Sequence, residues 1–449
     1  MKIKHNTSAA FDSEFRNWRV WATRAVVMAA ACAAGLVVVA FTWLGEKALD
    51  LFMTLFHYEP MAALAWTPMC AGCIVWITRR YVGAAAGSGI PQVMATLDPA
   101  ATPAATRKLV SFKISIAKVG LTTWGLLGGL SLGREGPSVQ VAAGIMLAAG
   151  KWLPERVAVS THGLLVAGGA AGIAAAFNTP LAGVMFAIEE LSRRPEQRSS
   201  GLLLSAIVLA GLIAVSIYGN ATYFGIIRAT GIDVSLVLPG LLVAVLSGLA
   251  GGLFSRLLQA SLLGQGKDIL SRWRARQPMR FAVLCGLLVA VIGLASAGAT
   301  FGSGYGHTRD MVAGREAVPA LFFLLKFVAT WLTTWSGVPA GIFAPSLAIG
   351  AALGNDVAQF LHMPNATALI ALGMVGFLAA ATQAPLTSFI IVMEMVDGHS
   401  MVLSLMACAM IARTISKVIS APLYAVLAQQ HLINASPTTL QPAPPAVAH

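Results

Sequence analysis

Charge is what this sequence has least of. Only 11% of its 449 residues are Asp, Glu, Lys or Arg, while 57% are hydrophobic; an ordinary soluble domain is about a quarter charged. A water-soluble fold is therefore nearly excluded. Cysteine is scarce too: Cys32, Cys70, Cys73, Cys285 and Cys408 all fall inside apolar stretches. Cys70 and Cys73 form a lone CxxC with no second pair, which reads as packing rather than metal or redox chemistry. The eight histidines are scattered without ligand or triad spacing. With no Ser/His or paired-Asp constellation on facing helices, neither an enzyme nor a cofactor is expected. No basic stripe interleaved with aromatics accompanies the formal charge of +12, so nucleic acid is not the expected partner. No small-residue cleavage site follows the N-terminal basic residues, so no cleaved signal peptide is expected.

What the chain does have is long apolar runs, with basic residues gathered in the short stretches between them. That is the pattern of a polytopic membrane protein obeying the positive-inside rule, with the lipid bilayer as its solvent and room for about a dozen or more embedded segments. Segment 1–24 carries Lys2, Lys4, Arg16, Arg19 and Arg24 and is expected to be cytoplasmic. Apolar runs follow at 25–44, 61–77, 109–132, 138–149, 163–191, 201–218, 236–263, 281–300, 321–335, 341–353, 367–396 and 400–427. The Pro/Ala-rich tail at 436–449 is expected to be disordered.

The sequence also repeats itself. At an offset of about 208, Lys118 meets Lys326, Gly133 meets Gly341 and Pro137 meets Pro345; slightly closer, Pro180 meets Pro385 and Glu189 meets Glu394. An ordered series of Lys, Pro and Glu is not a product of composition, so two homologous membrane repeats are inferred, 25–215 and 236–430. The run at 61–77 has its basic flank, Arg79 and Arg80, behind it. Its counterpart at 281–300 has Arg272, Arg274, Arg276 and Arg280 in front. Equivalent segments thus cross in opposite directions. The expected fold is an all-α polytopic membrane protein of two inverted-topology repeats, whose broken helices meet at a midplane anion site.

Three motifs mark that site. Gly133, Arg134, Glu135, Gly136 and Pro137 form one; Gly341, Ile342, Phe343, Ala344 and Pro345 form its copy. Each puts small residues before a Pro suited to a first helical turn. The helices to follow, 137–150 and 345–354, would be roughly 15 to 21 Å long, short of a ~30 Å hydrocarbon core, so they should start inside it. Helix N-termini meeting at depth offer an anion free amides and dipoles. Gly87, Ser88, Gly89, Ile90 and Pro91 add a third N-terminus and a hydroxyl, whereas the copy at Gly302, Ser303 and Gly304 lacks the Pro and reads as a loop. Glu135, a carboxylate in an anion-seeking place, must be protonated or occupy the anion position itself. Glu189, matched in the repeat, suggests scaffold; Glu190 is left as the odd acid, beside a plain solvated helix end as the bland alternative. Tyr424 alone would pass for an interfacial anchor, and Lys118 and Lys326 lie in apolar runs without a named partner.

Together GSGIP, GREGP, GIFAP and the Pro422-Leu423-Tyr424 ending resemble the CLC family of chloride channels and chloride/proton antiporters over about 25–430. The resemblance implies a homodimer in a bacterial inner membrane, with one anion pathway per subunit and chloride and protons as its cargo. It implies chloride held by the Ser88 and Tyr424 hydroxyls and the Ile342 and Phe343 amides, with Glu135 as external gate and proton carrier. FNTPLAGVMFAIEE is similar to the family stretch whose last acid, here Glu190, takes protons from the cytoplasm, which favours exchange. A passive chloride channel, or an exporter of fluoride or nitrate, is the alternative; Ser88 favours chloride. Gln92 and Met94 stand where bacterial antiporters of the family often carry acids.

Overall fold

The computed structural model describes residues 18–154, 159–192, 200–219, 224–225, 234–264, 268–315, 321–363 and 366–435. The tail at 436–449 and most of the N-terminal segment lie outside the described residues. The first repeat contains α1 (Trp18–Tyr58), α2 (Ala63–Tyr81), α3 (Ile90–Thr96), α4 (Pro103–Leu109), α5 (Phe112–Leu127), α6 (Glu135–Ala149), α7 (Thr161–Phe177), α8 (Pro180–Phe186) and α9 (Ser200–Tyr218). The second contains α10 (Val237–Leu263), α11 (Ile269–Arg276), α12 (Pro278–Ala295), α13 (Tyr305–Val312), α14 (Phe322–Ser336), α15 (Phe343–Phe360), α16 (Ala366–Thr382), α17 (Pro385–Met395), α18 (Val402–Ile419) and α19 (Leu423–Ala435).

Local chemistry sets the breaks. The hydroxyls of Thr102, Ser111 and Ser160 accept N–H bonds at the starts of α4, α5 and α7, and Pro stands in the first turn of α3, α4, α8, α12 and α17. Asn178, left-handed at φ 58°, ends α7 and splits the run at 163–191 in two; the run at 367–396 is split the same way by Gln383, at φ 62°. α1 does not stop at 44 but continues to Tyr58, because Glu, Lys and Ala are good helix formers even where hydropathy falls. Among the described residues six helices are long and apolar enough to cross a membrane, and the others include shorter apolar pieces such as α7, α16 and α17.

The repeat is visible in element order. α2, α3 and α5 to α9 recur as α12, α13 and α14 to α18. The expectation that Gly302, Ser303 and Gly304 lead only to a loop is corrected: Gly304, at φ 83°, caps α13 without any proline, so the symmetry persists where Gly supplies the turn. α15 is also longer than expected, at 18 residues. Small residues let the inner helices touch. A Cβ added to Gly168 would lie 2.7 Å from Ala143 Cα, and one added to Gly350 would lie 2.9 Å from Met374 Cα. The α6/α7 and α15/α16 pairs are therefore equivalent close crossings. The main buried cluster mixes Val93, Val139 and Ala170 with Phe343, Leu347 and Phe377, so the two halves share one core.

Candidate functional site

The two halves join at residues that match in the repeat. Gly133 N–H donates to the Gly341 carbonyl at 2.8 Å, and Gly341 N–H returns the bond at 2.9 Å. A Cβ on Gly341 would lie 2.8 Å from the Gly133 carbonyl oxygen, so only glycine permits this approach. From the bridge α6 and α15 depart, and their first intrahelical bonds are Ser138 N–H to Arg134 (2.8 Å) and Ser346 N–H to Ile342 (2.9 Å). The amides of Glu135, Gly136, Phe343 and Ala344 precede those bonds and stay outside the ladders. α3 and α19 begin alike, with Val93 N–H on Gly89 and Val426 N–H on Pro422, both at 3.1 Å. Two of the four helix starts thus stand on the bridge itself; the other two carry the hydroxyls.

Ser88 Oγ and Tyr424 Oη are buried and lie close to one another, and neither has a hydrogen-bond partner elsewhere in the described protein. Tyr424 stacks on Phe343 at 6.0 Å and 13°, and Phe343 also meets Phe177 and Phe186. A buried donor without an acceptor costs about 1–3 kcal/mol; two donors beside free amides form a pocket that an anion would satisfy. A Cβ on Gly136 would collide with Ser88 Oγ, so the α6 start and the serine loop are in contact. Glu135 is 1% exposed. Its carboxylate turns toward the amides of Arg134, Glu135 and Ala344 and abuts Gly133, while Oε2 has no hydrogen-bond partner. The side chain therefore lies between the starts of α6 and α15.

Buried polar side chains fix the serine loop. Lys118, fully buried, donates to the carbonyls of Ala85 (2.8 Å) and Gly87 (2.7 Å). Its repeat mate Lys326 donates to Thr300 (2.9 Å) and Gly302 (2.8 Å). These are the partners that sequence left unnamed. Gln92 closes the turn by accepting from Gly89 N–H at 3.0 Å and donating to Ala86 O, and Gln140 donates to Ala84 O at 3.0 Å. Gln92 thus works with the same loop that an acid would have faced. Sequence reasoning missed Gln140, which carries no motif of its own.

The acids near α8 separate by role. Glu189 accepts from Leu386 N–H (3.1 Å) and Thr387 N–H (2.7 Å) at the start of α17. Glu394 does the same for Leu181 (3.2 Å) and Ala182 (2.8 Å) at the start of α8. The matched acids therefore cap each other's helices across the molecule. Glu190 follows Glu189 on a π-helical turn, Ala187–Leu191, and lines a cavity of about 1600 Å³ with Asp98, Arg107, Lys151 and His162. Tyr424 is within electrostatic reach of both Glu135 and Glu190. Among the described residues no group of three His, Cys, Asp or Glu could hold a metal.

Residues 69–417 match a family described as voltage gated chloride channel. Three solved structures are similar across nearly the whole chain. A slow cyanobacterial Cl⁻/H⁺ antiporter aligns with a TM-score of 0.78 at 23% identity, over 92% of this chain and 98% of its own. A CLC-type fluoride/proton antiporter aligns at 0.72 and 23%, over 89% and 97%. A eukaryotic CLC transporter aligns at 0.72 and 19%, over 91% of this chain and 74% of its own.

Proposed function

The chain belongs to the CLC, or voltage gated chloride channel, family, and from that premise we propose that it exchanges chloride for protons. It is a multi-pass membrane protein and an ion transporter rather than an enzyme. One observation carries the proposal: the Glu135 carboxylate lies between the helix starts that would otherwise hold an anion. An ionised Glu135 competes with chloride for those amides, and a protonated one has lost its reason to stay. A single side chain then gates the anion and carries the proton. Ser88 and Tyr424 would coordinate chloride with the Ile342 and Phe343 amides, and Glu190 would take protons from the cavity it lines. The filter would comprise residues 87–91, 133–137 and 341–345.

The working unit is proposed to be a homodimer in a bacterial inner membrane, with the N-terminus cytoplasmic. The orientation is supported by Arg79, Arg80, Arg274 and Arg276, which end α2 and α11. Chloride rather than fluoride is the reading that Ser88 in the GSGIP motif supports. The test is simultaneous recording of anion and proton movement in liposomes holding the purified protein. Uphill proton movement driven by a chloride gradient is expected. Chloride flux with no proton movement would make the protein a channel, and movement of fluoride but not chloride would reassign the anion.

A further inference from the structure

Arg134, beside the gate, does not face it alone. Its Nη2 lies 2.7 Å from Glu46 Oε1 and its Nη1 donates to the Thr42 carbonyl at 3.1 Å, both on α1. The Arg134 side chain is 9% exposed and that of Glu46 is 43% exposed. The guanidinium is within electrostatic reach of the Glu135 carboxylate. We propose that Glu46 is a positioning residue for anion binding: by offsetting the Arg134 charge it sets how strongly the starts of α6 and α15 hold any anion, chloride or the Glu135 carboxylate. This rests on the anion-exchange reading above and names the residue that tunes its affinity.

Among the described residues, several charged or titratable groups face the pair. On α1, Lys47 and Asp50 are paired with each other at 3.7 Å and turned to solvent. From the end of α9, Tyr218 donates to the Val39 carbonyl at 3.1 Å and senses both Glu46 and Arg134. From α13, Tyr305 senses the same two and is bonded to Arg309. Glu46 forms an ion pair with Arg134 and sits where water can reach it. Screening of Arg134 at that point is graded rather than complete, because an exposed carboxylate shares its field with water.

The sign of the effect separates this role from a structural one. If Glu46 acts by charge, neutralising it raises the positive potential at the site and strengthens both occupants. If it merely holds Arg134 in place, losing it weakens both. Chloride binding is therefore measured by calorimetry in the Glu135→Gln protein, where the internal competitor is neutral. Adding Glu46→Gln, which keeps an oxygen for the Arg134 N–H, should lower the chloride Kd roughly fivefold, the order expected for removing one nearby, partly screened charge. Glu46→Ser should do the same should the Gln form not fold, and Glu46→Asp, which keeps the charge, should stay near the parent. In protein that retains Glu135, Glu46→Gln should move the pH of half-opening about 0.7 of a unit to the acid side, because ionised Glu135 is then held more tightly. An unchanged or raised Kd in the neutral variants would overturn the proposal. If the Glu135→Gln parent binds no chloride at all, it is the exchange reading that fails instead.

Discussion

At the scale of single residues, the two glutamates differ in what surrounds them. Glu135 lies among amides at the helix starts, whereas Glu190 lines a cavity shared with Asp98, Arg107 and Lys151. Glu135→Gln is expected to abolish proton movement and leave downhill chloride flux without pH dependence at the gate. Glu190→Gln should abolish proton movement too, but chloride flux should keep the pH response that Glu135 imposes; paired flux records at several pH values check both. Ser88→Ala and Tyr424→Phe each remove one hydroxyl donor and should weaken chloride binding by about 1 kcal/mol, read by calorimetry. These residues are legible in sequence because each sits in a short motif whose geometry follows from Gly and Pro. Glu46 is not: 88 residues separate it from Arg134, and an exposed-looking acid on a helix gives no hint of the guanidinium it meets. The place of the Glu135 carboxyl between the starts of α6 and α15 was likewise beyond the sequence, which carries no geometry.

At the scale of elements, reciprocal capping is the feature that most repays a test. Each of Glu189 and Glu394 satisfies two amides of the partner helix, combining charge-assisted hydrogen bonds with a favourable end of the helix dipole. Glu189→Ala and Glu394→Ala should each destabilise the protein by about 1–2 kcal/mol, with near-equal losses in denaturant midpoints measured in detergent. A loss confined to one of the two would break the equivalence. The pairing of these acids at a fixed offset was visible in the repeat, but their crossing to the opposite half was not, since an offset carries no direction in space. The α13 start was misjudged for a related reason: proline is a strong signal of a first turn, and its absence hid a Gly304 turn that does the same work. Helix ends were legible where a Ser, Thr or Pro announced them. They were not where a helix outlasted its apolar run, as α1 does.

At the scale of the whole molecule, the repeat predicts equal architecture and unequal function. Lys118 and Lys326 make matching pairs of carbonyl contacts in their own halves. Replacing either by Met strands two buried carbonyls and should cost about 2–4 kcal/mol of stability. Only Lys118→Met should also weaken chloride binding, because Gly87, which it holds, adjoins Ser88; thermal unfolding and calorimetry on both variants separate the two effects. The inverted fold itself was legible from repeats and charge flanks, since both are properties of a linear string. The shared core was not, because buried contacts between halves leave no local pattern. The Gly133–Gly341 pair, finally, constrains the order of assembly. Its hydrogen bonds join residues some two hundred positions apart, so they cannot form before the second half has been synthesised. A nascent first half therefore enters the bilayer with the Gly133 amide still waiting for its partner and the start of α6 unfinished. The proposed anion pathway is incomplete until the second half arrives, so on this reading a half-made chain has no route through which to leak ions.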